Sequence, residues 1–88
     1  MDRLAERATR EARQLYSIAA RLIDLHELLS NPHVHAALGH PTGNIPLAIA
    51  ETFGLAERNY TRAGSPSLPE RDTCIERAST TGITLYGG

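Results

Sequence analysis

The chain has 88 residues, with nine Arg and no Lys against ten acids, four His and a single Cys. A chain of that size holds one domain with a thin core, its near-even charge excludes a broad basic face for phosphate backbones, and the lone Cys74 excludes an internal disulfide. No apolar run reaches the length of a membrane span and the charged start lacks the apolar core of a signal peptide, so a cytoplasmic protein is expected.

The pattern predicts a long amphipathic helix over residues 2–29. Met1, Leu4, Ala8, Leu15, Ile18, Leu22, Leu25 and Leu29 recur at spacings of three and four, and Glu11 alone interrupts the series. These are the a and d positions of a heptad, and such a seam must be covered by the rest of the chain or by another chain. Ala5, Ala12 and Ala19 repeat beside it and are small enough to admit a second helix closely. Tyr16, Ile23 and Leu28 widen the apolar face in the second half, which marks that half as buried. Glu6 with Arg10, and Arg7 with Glu11, stand four apart on the solvated side. Ser30, Asn31 and Pro32 end the helix, since the residue before a proline disfavours helical backbone.

Residues 30–43 form a loop in which Val34 to Leu38 allow one short turn. Asn44 suits an N-cap for a helix over 45–53, which Gly54 stops, and a further short helix covers 55–63. Ser67 with Glu70 is the spacing of a capping box, opening a last helix over 68–79. Residues 80–88 form an extended tail in which Ile83 and Leu85 alternate with Thr84 and Tyr86, as in an edge strand or a docked tail. The expected fold is therefore all-α: one long N-terminal helix, two or three short helices and an extended C-terminal tail.

Chemistry-bearing residues are sparse. The four histidines fall in one stretch, and His33, His35 and His40 are the candidate metal ligands, with Asp24, Glu27 or Cys74 available to complete a shell. No pair of them has a strong ligand spacing, so no metal and no cofactor is assigned. Arg21 and His26 have the Arg-x4-His spacing of a helical ribonuclease family, but so Arg-rich a chain gives about one such match by chance. Cys74 lies between Arg71 and Arg77 and among acids, and reads as a small buried hydrophobe. No Ser-His-Asp or paired-carboxylate arrangement is present, so no catalytic residue is assigned.

Ile49, Ala50, Phe53, Gly54, Leu55, Tyr60 and Ala63 resemble the helix-turn-helix pattern of DNA-binding proteins, with a small residue in the first helix, Gly in the turn and apolar residues at the helix contacts. The resemblance implies a reading helix over 55–63 whose Arg58, Asn59, Thr61 and Arg62 face the groove. The terminal Gly87-Gly88 resembles the tails of ubiquitin-like sulfur carriers, which implies activation of the terminal carboxylate. A related reading makes residues 73–88 the modified segment of a peptide precursor.

The heptad seam ranks first among these. It predicts a non-catalytic assembly or adaptor protein whose partner-binding residues are Leu4, Ala8, Leu15, Ile18, Leu22 and Leu25, and whose partner is another protein or a second copy. A helix-turn-helix regulator and a carrier or precursor modified at its C-terminus are the alternatives.

Overall fold

Arg, Glu, Gln, Ala and Leu dominate the first thirty residues and all favour helix. In the computed structural model, which describes residues 3–39 and 42–86, they form α1 (Arg3–Leu29). Three helices follow: α2 (Pro32–Leu38), α3 (Ile45–Arg62) and α4 (Pro69–Thr81). The architecture is all-α, led by the long N-terminal helix that the sequence predicts. Among the described residues there is no strand, and no helix is long and apolar enough to cross a membrane.

α1 is the post on which the molecule is built. At 1.5 Å per residue it is about 40 Å long, and it accounts for most of the 53 Å long axis. α3 runs back along one side of it and α4 runs forward along another. Arg13 pairs with Glu70 and Asp24 with Arg77, so α4 lies parallel to α1. Among the described residues no Cα of α3 lies within 8 Å of one of α4. The core lies where α1 meets both. Tyr16, Ile23, Ile49, Phe53 and Cys74 are its largest fully buried side chains. The Tyr16 ring meets Phe53 edge-on at 5.7 Å and Tyr60 at 6.1 Å between centroids.

The buried side of α1 is not the predicted seam. Ala8, Ala12, Tyr16, Ala19, Ala20 and Ile23 face inward. That stripe is turned by about 100°, one residue position, from the leucine series. Its small residues let α3 and α4 approach, which larger ones would prevent. The repeat of Ala12 and Ala19, read as flanking the seam, is the seam.

Three further boundaries differ from expectation. The loop 30–43 contains α2, because Asn31-Pro32 starts a helix as well as ending one: the Asn31 side chain accepts the His33 amide at 3.0 Å, and Pro32 occupies the first turn. Gly54 does not stop a helix, and 45–53 with 55–63 are one continuous α3. A mid-helix Gly costs about 1 kcal/mol, whereas Ile49, Phe53 and Ala56 line one buried stripe across it, and each large side chain gains about 1.5–3 kcal/mol on burial. The capping box also fails. Leu68 takes the N-cap position with no side-chain cap bond, because its side chain is needed in the core, where it is 5% exposed. Residues 82–86 form the docked tail, one of the two forms expected. Leu85 is buried, and Tyr86 meets Phe53 edge-on at 5.3 Å between centroids.

Gly54 tests the continuous helix. A Cβ built there meets nothing within 4 Å, and its φ is not positive. Gly54→Ala should therefore raise stability by about 0.5–1 kcal/mol in chemical denaturation. A turn at this position would instead be strained by the same change, and stability would fall.

Candidate interaction surface

Turning α1 by one position leaves the leucine series on its flank. Leu4 is 72% exposed, Ile18 47% and Leu25 42%, while Leu15 and Leu22 are half-buried and pack against the core edge. Ala8, the sixth predicted contact, is 3% exposed and belongs to the interior. It packs within this chain and offers no surface to a partner.

Helical periodicity extends this flank onto α3. On α1, Arg13, Ala20 and Asp24 face α4, so Leu15 and Leu22 lie on the side away from it. On α3, Glu57 and Tyr60 face α4 through Arg71, so Thr52, Leu55 and Asn59 lie on the opposite flank. The two flanks share one open face. Leu55 is 45% exposed there. Its place was not legible while 55–63 stood as a separate helix. A shallow depression lined by Arg13, Gln14, Ser17, Ile18 and Arg21 runs along the outer edge of α1.

The proposed groove-reading residues do not form a reading helix. Arg58, Thr61 and Arg62 are exposed near the C-terminal end of α3, but no turn sets this part of the helix apart. The Asn59 side chain donates back to the Leu55 carbonyl at 3.1 Å. His33 and His35 are exposed on α2, and His40 lies outside the described residues. Among the described residues no three His, Cys, Asp or Glu side chains gather where a metal could sit. Gly87 and Gly88 also lie outside the described residues. The rest of the 73–88 segment is mostly α4 and the docked tail, and the fold is helical where sulfur carriers are sheet-rich.

The densest polar cluster was not foreseen, since its members are far apart in sequence. Arg71 donates to both Glu57 carboxylate oxygens, at 2.8 and 3.3 Å, and stacks over the Tyr60 ring at 4.5 Å. The Tyr16 hydroxyl donates to the same carboxylate. Burial acts to raise the Glu57 carboxyl, but the hydrogen bonds from Arg71 and Tyr16 and the Arg71 charge outweigh it and hold the group below the usual carboxylate range. Burial, and then Glu57 by hydrogen bond and charge, push the Tyr16 hydroxyl up, with Arg71 opposing. Each polar group has its partner, and the depression that reaches Glu57, lined also by Arg58, Thr61 and Arg62, is shallow and open. The cluster joins α3 to α4 across α1, a structural task.

Glu70 and Cys74 serve the same packing. The Glu70 carboxyl is held low, first by its own backbone amide, with Arg13 helping against partial burial. Its Oε2 accepts from Arg13 at 3.3 Å, while its Oε1 is buried with no hydrogen-bond partner among the described residues. Burial pushes the Cys74 thiol up to about 11, Arg77 opposes this and Glu57 adds to it.

Set against protein-family models, curated proteins and solved structures, the chain matches none of them.

Two outcomes follow. A carboxyl whose folded value is depressed contributes stability above its unfolded value and loses it as pH falls through the folded one. Glu57→Gln should cost about 1–2 kcal/mol at pH 7, and its deficit relative to wild type should shrink as pH drops below the ordinary 4.5. Denaturation curves at pH 7 and pH 3 measure both. Cys74, fully buried with a raised thiol, should resist a thiol reagent at pH 8 in the native protein and react stoichiometrically once unfolded.

Proposed function

We propose that this chain is a cytoplasmic, non-catalytic assembly or adaptor protein that works by covering the open face of α1 with another protein chain. One observation supports the reading above others: Ile18 and Leu25, with Leu4 toward the helix start, stand about half exposed or more along one line of α1 while the chain packs its own helices elsewhere. Scattered exposed leucines need no explanation, but their alignment on one side of a helix does, even with Glu11 interrupting the line. Full burial of a Leu or Ile is worth about 1.5–3 kcal/mol, so completing the burial of each half-exposed one returns roughly 1 kcal/mol. A partner spanning the line gains several such terms at once. The polar cluster at Glu57 offers no rival reading, because its groups satisfy one another.

The test places a photo-reactive amino acid at position 18, and at the exposed position 72 on α4 as control, in cells of the native host. Position 18 should yield a discrete cross-linked protein that is lost with Leu25→Glu, while position 72 yields none. A chain that cross-links to nothing at position 18, or equally at both, overturns the reading.

A further inference from the structure

The core takes two side chains from outside the helices, Leu68 and Leu85. Leu68 is tied to the start of α4, where its carbonyl accepts the Arg71 and Asp72 amides. Leu85 has no such tie. Among the described residues the backbone of 83–86 makes one hydrogen bond, from the Ile83 amide to the Ala78 carbonyl at 2.9 Å. That bond and the left-handed Gly82, at φ +77°, close α4 and turn the chain. Beyond the turn, side chains alone hold the tail. Leu85 is buried, Ile83 is half-buried against the core, and the Tyr86 ring lies edge-on to Phe53. Tyr16, Phe53 and Tyr86 form a series of edge-on rings. The first two are fully buried, while Tyr86 is 63% exposed and is the outer end of the series. The tail carries these contacts from the end of α4 to α3, two helices whose backbones do not approach each other. Nearer the start of α4 the same gap is crossed by Arg71, with two hydrogen bonds to Glu57. One crossing is polar and locked. The other is apolar and hangs from a single turn.

We propose that residues 83–86 are a releasable strap, which swings out about Gly82 while the four helices stay folded. Opening bares the edge of Phe53 and vacates the place of Leu85 in the core. Closing seals both. Local opening falls where buried apolar contacts are few and backbone hydrogen bonds are scarce, and the strap meets both conditions. Releasing it breaks one backbone hydrogen bond, whereas withdrawing a core residue of α1 or α3 unwinds a helix. Gly82 suits a hinge because it has no Cβ to restrict φ, so it can leave the left-handed region freely. The Glu57–Arg71 crossing keeps α3 and α4 joined throughout. The strap therefore sets whether the interior at Phe53 is accessible, and it does so without melting the fold.

Amide exchange, followed by NMR on the unaltered chain across a urea series, tests the strap. Ile83 is the reporter, because its hydrogen bond to Ala78 holds only while the strap is closed. Its amide should exchange at least about ten-fold faster than those of Phe53 and Ala56 in α3, as local opening lies below global unfolding in free energy. It should hardly respond to urea, since the opening exposes little surface, whereas the α3 amides follow the slope of global unfolding. Thr81, in the last turn of α4, should exchange more slowly than Ile83. Two variants separate the local event from the global one. Tyr86→Ala should speed Ile83 about three-fold or more, because it removes a contact made only by the closed strap. Glu57→Gln, which weakens the whole fold away from the strap, should speed Phe53 and Ala56 and leave Ile83 unchanged. Four results each overturn the proposal: Ile83 sharing the urea slope of Phe53, Ile83 speeding together with Phe53 in Glu57→Gln, Ile83 indifferent to Tyr86→Ala, or Thr81 exchanging as fast as Ile83, which is fraying of α4.

Discussion

Close approach along the alanines of α1 is the constraint on which the rest of this structure depends. Ala8, Ala12, Ala19 and Ala20 contribute little apolar area of their own. What they contribute is distance: neighbouring helices can come near enough for a few large side chains to close the space. Tyr16 and Ile23 from α1, with Ile49 and Phe53 from α3, then fill it. A methylene added at Ala12 or Ala19 would push a helix away and would be felt at Phe53, because dense cores transmit displacement.

That arrangement has a geometric consequence. α3 and α4 both lean on α1, but their backbones do not approach each other. A gap between two helices on a common post is where water would enter. Glu57, Arg71, Tyr16 and Tyr60 occupy it. The side chains of Arg71 and Glu57 are 24% and 26% exposed, so the pair is neither a surface bridge of negligible worth nor a fully desolvated one with a large penalty. Stacking on Tyr60 and the Tyr16 hydrogen bond fix the guanidinium and carboxylate in place, which removes the entropy cost that weakens most exposed pairs.

The long helix and its end at Leu29 were legible in the sequence because each rests on local chemistry: helix-forming composition and the Asn-Pro stop. The final helix was expected from a capping box that does not form, and Pro69 in its first turn starts it instead. The rotation of α1 was not legible. Hydrophobicity favours the leucines, while packing favours the smallest residues wherever two helices must nearly touch. The regular Ala12–Ala19 repeat carried that signal and was outweighed by larger side chains. Gly54 misled for a related reason. Glycine weakens a helix by an amount that one buried phenylalanine exceeds, and a local rule does not see Phe53 entering the core. The Glu57–Arg71 pair spans fourteen residues and two helices, and neither spacing nor composition points to it. The exposed apolar face of α1 was half legible. Leu15, Ile18, Leu22 and Leu25 lie where contact is possible, Ala8 does not, and Leu55 joins them only because α3 is unbroken.

Two apolar lines on one helix, about 100° apart, divide the labour of burial. The internal line is made of residues that allow approach, and it gains its stability through the large side chains around it. The outer line holds side chains with a high transfer energy and no complete cover. For folding alone, Leu4, Ile18 and Leu25 could be Gln or Glu, which suit solvent better, whereas Leu15 and Leu22 pack on the core edge. Leucine and isoleucine there leave apolar area that the chain's own helices do not cover, and each would gain roughly 1 kcal/mol if its burial were completed.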